Sequence, residues 1–242
     1  MPTTTPIQPE YRLADHVRAC HVDGQVILLD LQRDKYIGAG GPLMAALSAR
    51  IAGWPAKDLD QVEPASNGVD HWIGHLRDQA LLVPASLPAP AHEALASPRN
   101  SLSHGEHVPS PGVPWRRFLG LAYAALLTTH WLKRHSMATI ACSVRALRPA
   151  RGMKTDDEQV GALRRASAWY LRMRPVVITS HDKCLHDSLT LLRFLAAEKL
   201  YASWVVGVRT RPFAAHSWVQ SGDLVLNDTH EYVRGFTPIL VV

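Results

Sequence analysis

The 242 residues are 47% hydrophobic and 19% charged with a net charge of +5, which excludes a disordered chain and allows one large domain or two smaller ones. Three cysteines, with no Cys-x-x-Cys pair, exclude a disulfide framework and a structural zinc site and leave at least one thiol free. MPTTTPIQPEYRLAD lacks the basic patch and apolar run of a secretory signal, and no stretch of about 18 uninterrupted apolar residues is present to span a bilayer, so the chain is expected to be soluble and cytoplasmic.

Three strand-like runs open the chain, YRLADHVRACHV, QVILLD and DKYIGA, separated by turn signals at Asp23-Gly24 and Gln32 to Asp34. They predict an antiparallel meander. In LMAALSARIAG the helical spacing of Leu43, Leu47 and Ile51 predicts a helix stopping at Gly53, and Trp72, Ile73, Leu76, Ala80 and Leu81 predict a second over Trp72 to Leu82. A three-stranded sheet followed by helices, over residues 1–83, resembles a small winged-helix module. DNA binding by such a module needs Lys and Arg to neutralise phosphates, whereas residues 1–97 hold 7 Lys/Arg against 11 Asp/Glu, net −4. Two readings stay open for it: a packing or dimerisation domain, and a sheet whose edge accepts an extended peptide as an added strand.

Residues 84–113 are rich in Pro, Ser, Ala and Gly and read as a semi-extended linker. Its histidines, His92, His104 and His107, lack ligand spacing and are expected to be solvated, with no metal bound. From Trp115 to His135 the chain is apolar between Arg116-Arg117 and Lys133-Arg134, which predicts a buried core helix. MATIACSVRALR continues the helical period to a stop near Pro149, with Cys142 expected as a packed core thiol. Asp156 to Arg174 predicts a further helix with Val160, Leu163, Ala166, Tyr170 and Leu171 inward and arginines outward. Residues 114–175 hold 12 Lys/Arg against 3 Asp/Glu, net +9, which fits a solvated basic face or a docking surface for an acidic partner or a nucleotide phosphate.

The chemistry concentrates between Ser180 and Asp228. Ser180, His181 and Asp182 offer helix-capping oxygens ahead of Cys184, and Leu185, Leu189, Leu192 and Ala196 share one face of the helix that follows. A thiol at a helix start meets unpaired backbone N–H groups, which favour the thiolate and offer donors to a tetrahedral oxyanion. His216 lies in the strand AAHSWVQ, Ser221-Gly222-Asp223 turns the chain, and LVLND returns it to Asp228. Counting back from the turn places His216 and Asp228 nearly opposite, on one face of a two-stranded ribbon. A thiol, an imidazole and an orienting carboxylate are the parts of acyl-transfer catalysis. Each residue also has a structural reading, as a core thiol, a strand histidine and a turn; His181, His186 and His230 compete less well for the base.

The segments KCLHDSLTLLRFL, VVGVRTRPFAAHSWVQ and LVLNDTHEYVRGF resemble the B proteins of lasso-peptide biosynthesis, leader peptidases with a transglutaminase-like, papain-related catalytic domain. The resemblance implies an α+β chain: a winged-helix-like precursor-recognition domain (1–83), the linker, and a transglutaminase-like cysteine peptidase domain (114–242). It implies Cys184 as nucleophile, His216 as base and Asp228 as third member. It also implies leader binding by strand addition at the third strand, with Lys35, Tyr36, Ile37, Trp72 and Leu76 as candidate contacts, a precursor peptide as substrate, and an asparagine-synthetase-like cyclase as partner. ATP dependence is implied through that cyclase; the chain itself has no Walker-type glycine-rich loop. Two other readings share the residues: an acyltransferase or transglutaminase using the same three groups, and a non-catalytic peptide-binding scaffold.

Overall fold

The computed structural model describes residues 9–40, 43–55, 68–87, 95–102, 115–148, 157–178 and 184–242, divided between two compact units, Met1–His92 and Glu93–Val242. The architecture is mixed α+β, as expected.

In the first unit, β1 (Tyr11–Leu13), β2 (Val17–Val22), β3 (Gln25–Asp30), β4 (Lys35–Gly40), α1 (Leu43–Arg50), β5 (Ile51–Ala52), α2 (Val69–Asp78) and β6 (Leu82–Pro84) follow in order. The meander is present as β2-β3-β4. Asp23 and Gly24 both take positive φ, 48° and 75°, the requirement of a two-residue hairpin turn whose twist matches its strands. At the next turn the buried Asp30 carboxylate accepts from the backbone N–H groups of Gln32 (2.9 Å) and Arg33 (3.2 Å), and Arg33 Nη1 donates to its other oxygen at 2.8 Å. These bonds hold Asp30 ionised below the usual carboxylate range, against burial, which acts the other way.

The first predicted strand is two elements. A turn, Val17 N–H to Ala14 C=O at 2.9 Å, ends β1, and the buried Arg12 guanidinium secures it by donating to Leu13 O (2.7 Å), Asp15 Oδ1 (2.8 Å) and Leu87 O (3.0 Å). β1 therefore joins a separate sheet, parallel to β5 and antiparallel to β6. Two helix ends move for the same reason: α1 stops at Arg50 and α2 at Asp78, because Ile51–Ala52 and Leu82–Pro84 pair with β1 instead. The core gathers Val17, Val26, Leu28, Leu47, Ile51, Ile73, Leu76 and Leu81.

The second unit contains β7 (Asn100–Ser101), α3 (Trp115–Arg134), α4 (Met137–Ala146), α5 (Asp157–Val177), α6 (Cys184–Ala197), β8 (Ser203–Thr210), β9 (Phe213–Ser221), β10 (Leu224–Val225), α7 (His230–Val233) and β11 (Thr237–Val241). Its sheet runs β11-β8-β9-β10-β7. Helix α6 packs on β9 and β8 and against α3 and α5. Every residue from Asp187 to Leu192, with Phe194 and Leu195, is buried, the pattern of a helix covered on all sides.

Three expectations change here. Part of the expected linker belongs to this sheet: β7 runs parallel to β10, Gln220 Nε2 donates to Ala96 O at 2.7 Å, and Arg234 Nε donates to Pro98 O at 2.8 Å. Side chains of Gln220 on β9 and of Arg234, just after α7, satisfy backbone carbonyls of this stretch, which composition does not reveal. Helix α3 buries only one face, on Leu121, Ala124, Ala125 and Thr128, while Trp115, Leu119, Tyr123 and Leu126 are exposed. Cys142 is exposed, because the buried stripe of α4 is Met137, Ile140, Ala141 and Val144 and a residue two positions from Ile140 points away. That helix is separate from α3, started by Ser136, whose side chain accepts from Thr139 N–H. His92, His104 and His107 lie outside the described residues.

Candidate active site

Cys184 is the first residue of α6, half-buried, where helix N–H groups are not yet taken up by the helix's own hydrogen bonds. The backbone N–H of Leu185 and that of Ser217, across on β9, both donate to its sulfur. Ser180, His181 and Asp182, expected as caps, lie outside the described residues. The embedded helix fixes the thiol against the sheet.

His216 is in the middle of β9, paired with Gly207 of β8. Its Nε2 is 2.7 Å from Asp228 Oδ2. Asp228 lies beyond β10, which ends at Val225, so the carboxylate arrives on a bend rather than at the end of a strand. Its other oxygen accepts from the Thr229 N–H at 2.7 Å, and Thr229 caps α7 by accepting from Tyr232 N–H. One oxygen is thereby held by backbone and the other left for the imidazole. With Nε2 committed to Asp228, Nδ1 is the nitrogen available to the Cys184 thiol, with which His216 is hydrogen-bonded.

The two sides of that bond shift each other. Burial lowers the pKa of His216, but the hydrogen bonds to Asp228 and Cys184 and their negative charges outweigh it and push the imidazolium up to about 9. Burial raises the pKa of Cys184, and the hydrogen bond and charge of His216, with the two backbone donors, outweigh it and bring the thiol below its ordinary value. The shifts run in the direction that favours thiolate and imidazolium, the reactive form of a nucleophilic cysteine.

Aromatic rings fix the imidazole in place. Trp218 stacks at 6.1 Å between centroids, Tyr232 meets it edge-on at 5.1 Å and Phe236 tilts against it at 5.2 Å. Gly207 makes room for two of them, since a Cβ there would stand 2.8 Å from Trp218 ring carbons and 2.9 Å from Phe236 Cβ.

A polar cluster missed at the level of sequence lies behind the pair. Asp187, one helical turn after Cys184, is buried and accepts from Tyr170 Oη (2.9 Å), Arg174 Nη1 (3.1 Å) and Asn227 Nδ2 (2.8 Å). By sequence Asn227 reads as part of a turn and Asp187 is not singled out; the apolar run around 187 is the signal that could mark it as buried.

The competing histidines are engaged elsewhere. His186 Nε2 is 2.9 Å from Thr129 Oγ1 on α3 and its Nδ1 is 3.5 Å from Thr190 Oγ1. His230 Nδ1 is 3.1 Å from Ser101 Oγ and from Glu231 Oε2. His181 lies outside the described residues. In the first unit Lys35 is exposed, while Tyr36, Ile37 and Trp72 are half-buried. Leu76 is fully buried in the core, so its side chain is not a surface contact as expected. Among the described residues no cluster of three His, Cys, Asp or Glu side chains could hold a metal ion.

Residues 122–241 match the family model of the transglutaminase-like superfamily. The microcin J25-processing protein McjB of Escherichia coli is 49% identical to this chain over 45 residues, 19% of this chain and 22% of McjB. The chain thus covers about a fifth of that relative's length, 22%. No solved structure matches the chain. Among the described residues no helix is long and apolar enough to cross a membrane.

Proposed function

We propose that this chain is a cysteine peptidase that removes the leader from a ribosomally made lasso-peptide precursor, with Cys184 as nucleophile, His216 as acid and base and Asp228 as the group that orients the imidazole. The observation that carries the reading is the hydrogen-bonded series Cys184, His216, Asp228 within a transglutaminase-like domain. The similarity to a protein named for processing microcin J25 supports the substrate class.

The thiolate of Cys184 adds to the carbonyl carbon of the leader–core bond, and N–H groups at the start of α6 face the developing oxyanion. The protonated His216 gives its proton to the leaving nitrogen as the C–N bond breaks, which frees the core amine and leaves the leader as a thioester. Neutral His216 then takes a proton from water as its oxygen attacks, and the thiolate departs. Asp228 on Nε2 keeps Nδ1 directed at the reacting atoms throughout.

The first unit fits leader capture by strand addition, because β4 is the last strand of its sheet among the described residues. Tyr36 and Ile37 lie on that strand, beside the exposed Lys35. The freed core passes to an asparagine-synthetase-like cyclase for macrolactam closure, and ATP enters with that partner. This thiol chemistry asks for no cofactor or metal on this chain.

Incubation of the cognate precursor with the protein, followed by mass spectrometry, tests the reading. Leader and core as free acid and free amine are expected, and Cys184→Ala is expected to abolish them while leaving leader binding intact. Undiminished cleavage by that variant would overturn the assignment. The transglutaminase-like match also supports acyl transfer to an amine. A small amine added to the reaction separates the two, since a peptidase releases the leader as an acid and a transferase as an amide.

A further inference from the structure

We propose that Asn227 is a positioning residue whose carboxamide sets the spacing between the helix that carries Cys184 and the strand that carries His216. This rests on the reading of Cys184 as a nucleophile, and not on the identity of its substrate.

The side chain of Asn227 is buried and uses its two ends on two different elements. Nδ2 donates to Asp187 Oδ2 at 2.8 Å and to Ser188 Oγ at 3.2 Å, both on α6. Oδ1 accepts from the Val219 N–H of β9 at 2.8 Å. Asp187 and Cys184 are one turn apart on the same helix, Val219 and His216 are three residues apart on the same strand, and Asn227 directly precedes Asp228. All three elements of the site therefore meet at one amide.

The chemistry of the amide is specific to this place. It must donate toward α6, where a carboxylate and a hydroxyl wait, and accept from β9, where a backbone N–H would otherwise be buried without a partner. A carboxylate at this position would oppose Asp187 across a hydrogen-bond distance. A leucine would strand the Val219 N–H and take away one of the donors to Asp187 Oδ2. Asp187 is itself held from behind by Tyr170 and Arg174 of α5, so the brace has a fixed end. The titratable groups facing the two ends are Tyr170, Arg174 and Asp187 at the brace, and Cys184, Asp228 and Tyr232 around His216. A thiolate and an imidazolium stabilise one another over a short range, so a small change in spacing alters how low the thiol titrates.

The test is the rate of Cys184 alkylation by iodoacetamide against pH, read by peptide mass spectrometry and needing no substrate. It is made in a Cys142→Ser background, because Cys142 is exposed; Cys20 is buried, with its thiol pushed up to about 12. The unaltered site is expected to react at lower pH than an ordinary thiol. Asn227→Asp is expected to move the acid limb of that profile upward and to lower precursor cleavage roughly ten- to hundred-fold through kcat, with little change in KM. The exchange Asp187→Asn with Asn227→Asp restores a donor facing an acceptor, and is expected to recover at least half of the displacement. Tyr170→Phe, which loosens the fixed end without changing charge, is expected to give a smaller shift in the same direction and stands in should Asn227→Asp not fold. The proposal is overturned if Asn227→Asp, or in its place Tyr170→Phe, is folded with an unmoved profile, or if the exchange is as damaged as the single change. A profile that moves as expected in a protein that cleaves no precursor would keep the brace and reject the peptidase.

Discussion

The two units place their buried polar groups differently. In the first, Asp30 serves a turn within three residues of itself, and Arg12 fastens the end of β1 to Leu13 O, Asp15 Oδ1 and the more distant Leu87 O. In the second, Asn227 reaches Asp187 across 40 positions of sequence, Tyr170 reaches Asp187 across 17, and both lead toward a thiol and an imidazole. Polar groups of the first kind shape a scaffold, and those of the second hold separate elements at a working distance. The difference separates stability from reactivity, and each can be disturbed alone.

The largest disturbance is expected from His216→Ala. It removes the proposed proton donor and the charge that lowers the pKa of Cys184, so cleavage is expected to fall by about 10²- to 10⁴-fold and alkylation of Cys184 to move toward the pH of an ordinary thiol. Alkylation at neutral pH unchanged from the parent would break the assignment of reactivity to this pair. In the unaltered protein cleavage should follow a bell, rising through the lowered pKa of Cys184 and falling as His216 loses its proton near pH 9. Stability obeys the same signs. The raised pKa of His216 contributes fully below its ordinary value of 6.5 and is lost as pH rises through about 9. The lowered pKa of Cys184 contributes fully above its ordinary 9.0 and is lost as pH falls through the folded value.

Next in size is Gly207→Ala, which touches both sides of the comparison. The new methyl meets Trp218 and Phe236 and should cost about 1–3 kcal/mol as overpacking, while displacing the rings that fix His216. Thermal unfolding and cleavage are expected to suffer together; a variant with full activity and an unmoved melting temperature would show that the rings have room to spare. Asp30→Ala should cost a comparable ~1–3 kcal/mol, from two backbone N–H groups left unpaired, and leave the Cys184 alkylation profile where it was. A shifted profile would mean that the first unit's turns bear on the site. Ser136→Ala, which removes the cap of α4, should lower stability by about 1 kcal/mol without a change in kcat. Finally EDTA should change nothing, and activity lost to chelation and restored by zinc would displace the thiol chemistry altogether.

Much of the site was legible in the order of residues. Cys184 before an apolar helical run, His216 in an alternating strand and Asp228 after a Gly-Asp turn could be placed because helix starts, strands and hairpin turns are local features. The approach of Cys184 to His216 depended on the packing of α6 against β9, which local pattern does not determine. The Asp187–Asn227 bond was hidden for the same reason, since each residue has an adequate local explanation. In the first unit, the split of the first strand is not a local feature, because Arg12 draws its partners from Asp15 and from Leu87, one near and one far. The exposed face of α3 and the exposure of Cys142 are matters of helix phase, which is set by the neighbours that cover each helix and not by apolar content.

The stack of Trp218 on His216 has an optical consequence. An imidazolium in contact with an indole quenches its emission more strongly than the neutral ring does, and Trp218 is buried at 1% exposure, away from quenching by solvent. Its fluorescence should therefore brighten as pH rises through about 9, where His216 gives up its proton, and Trp218→Phe should remove that change while leaving the signals of the other indoles. The protein thus carries its own gauge of the protonation on which its chemistry turns.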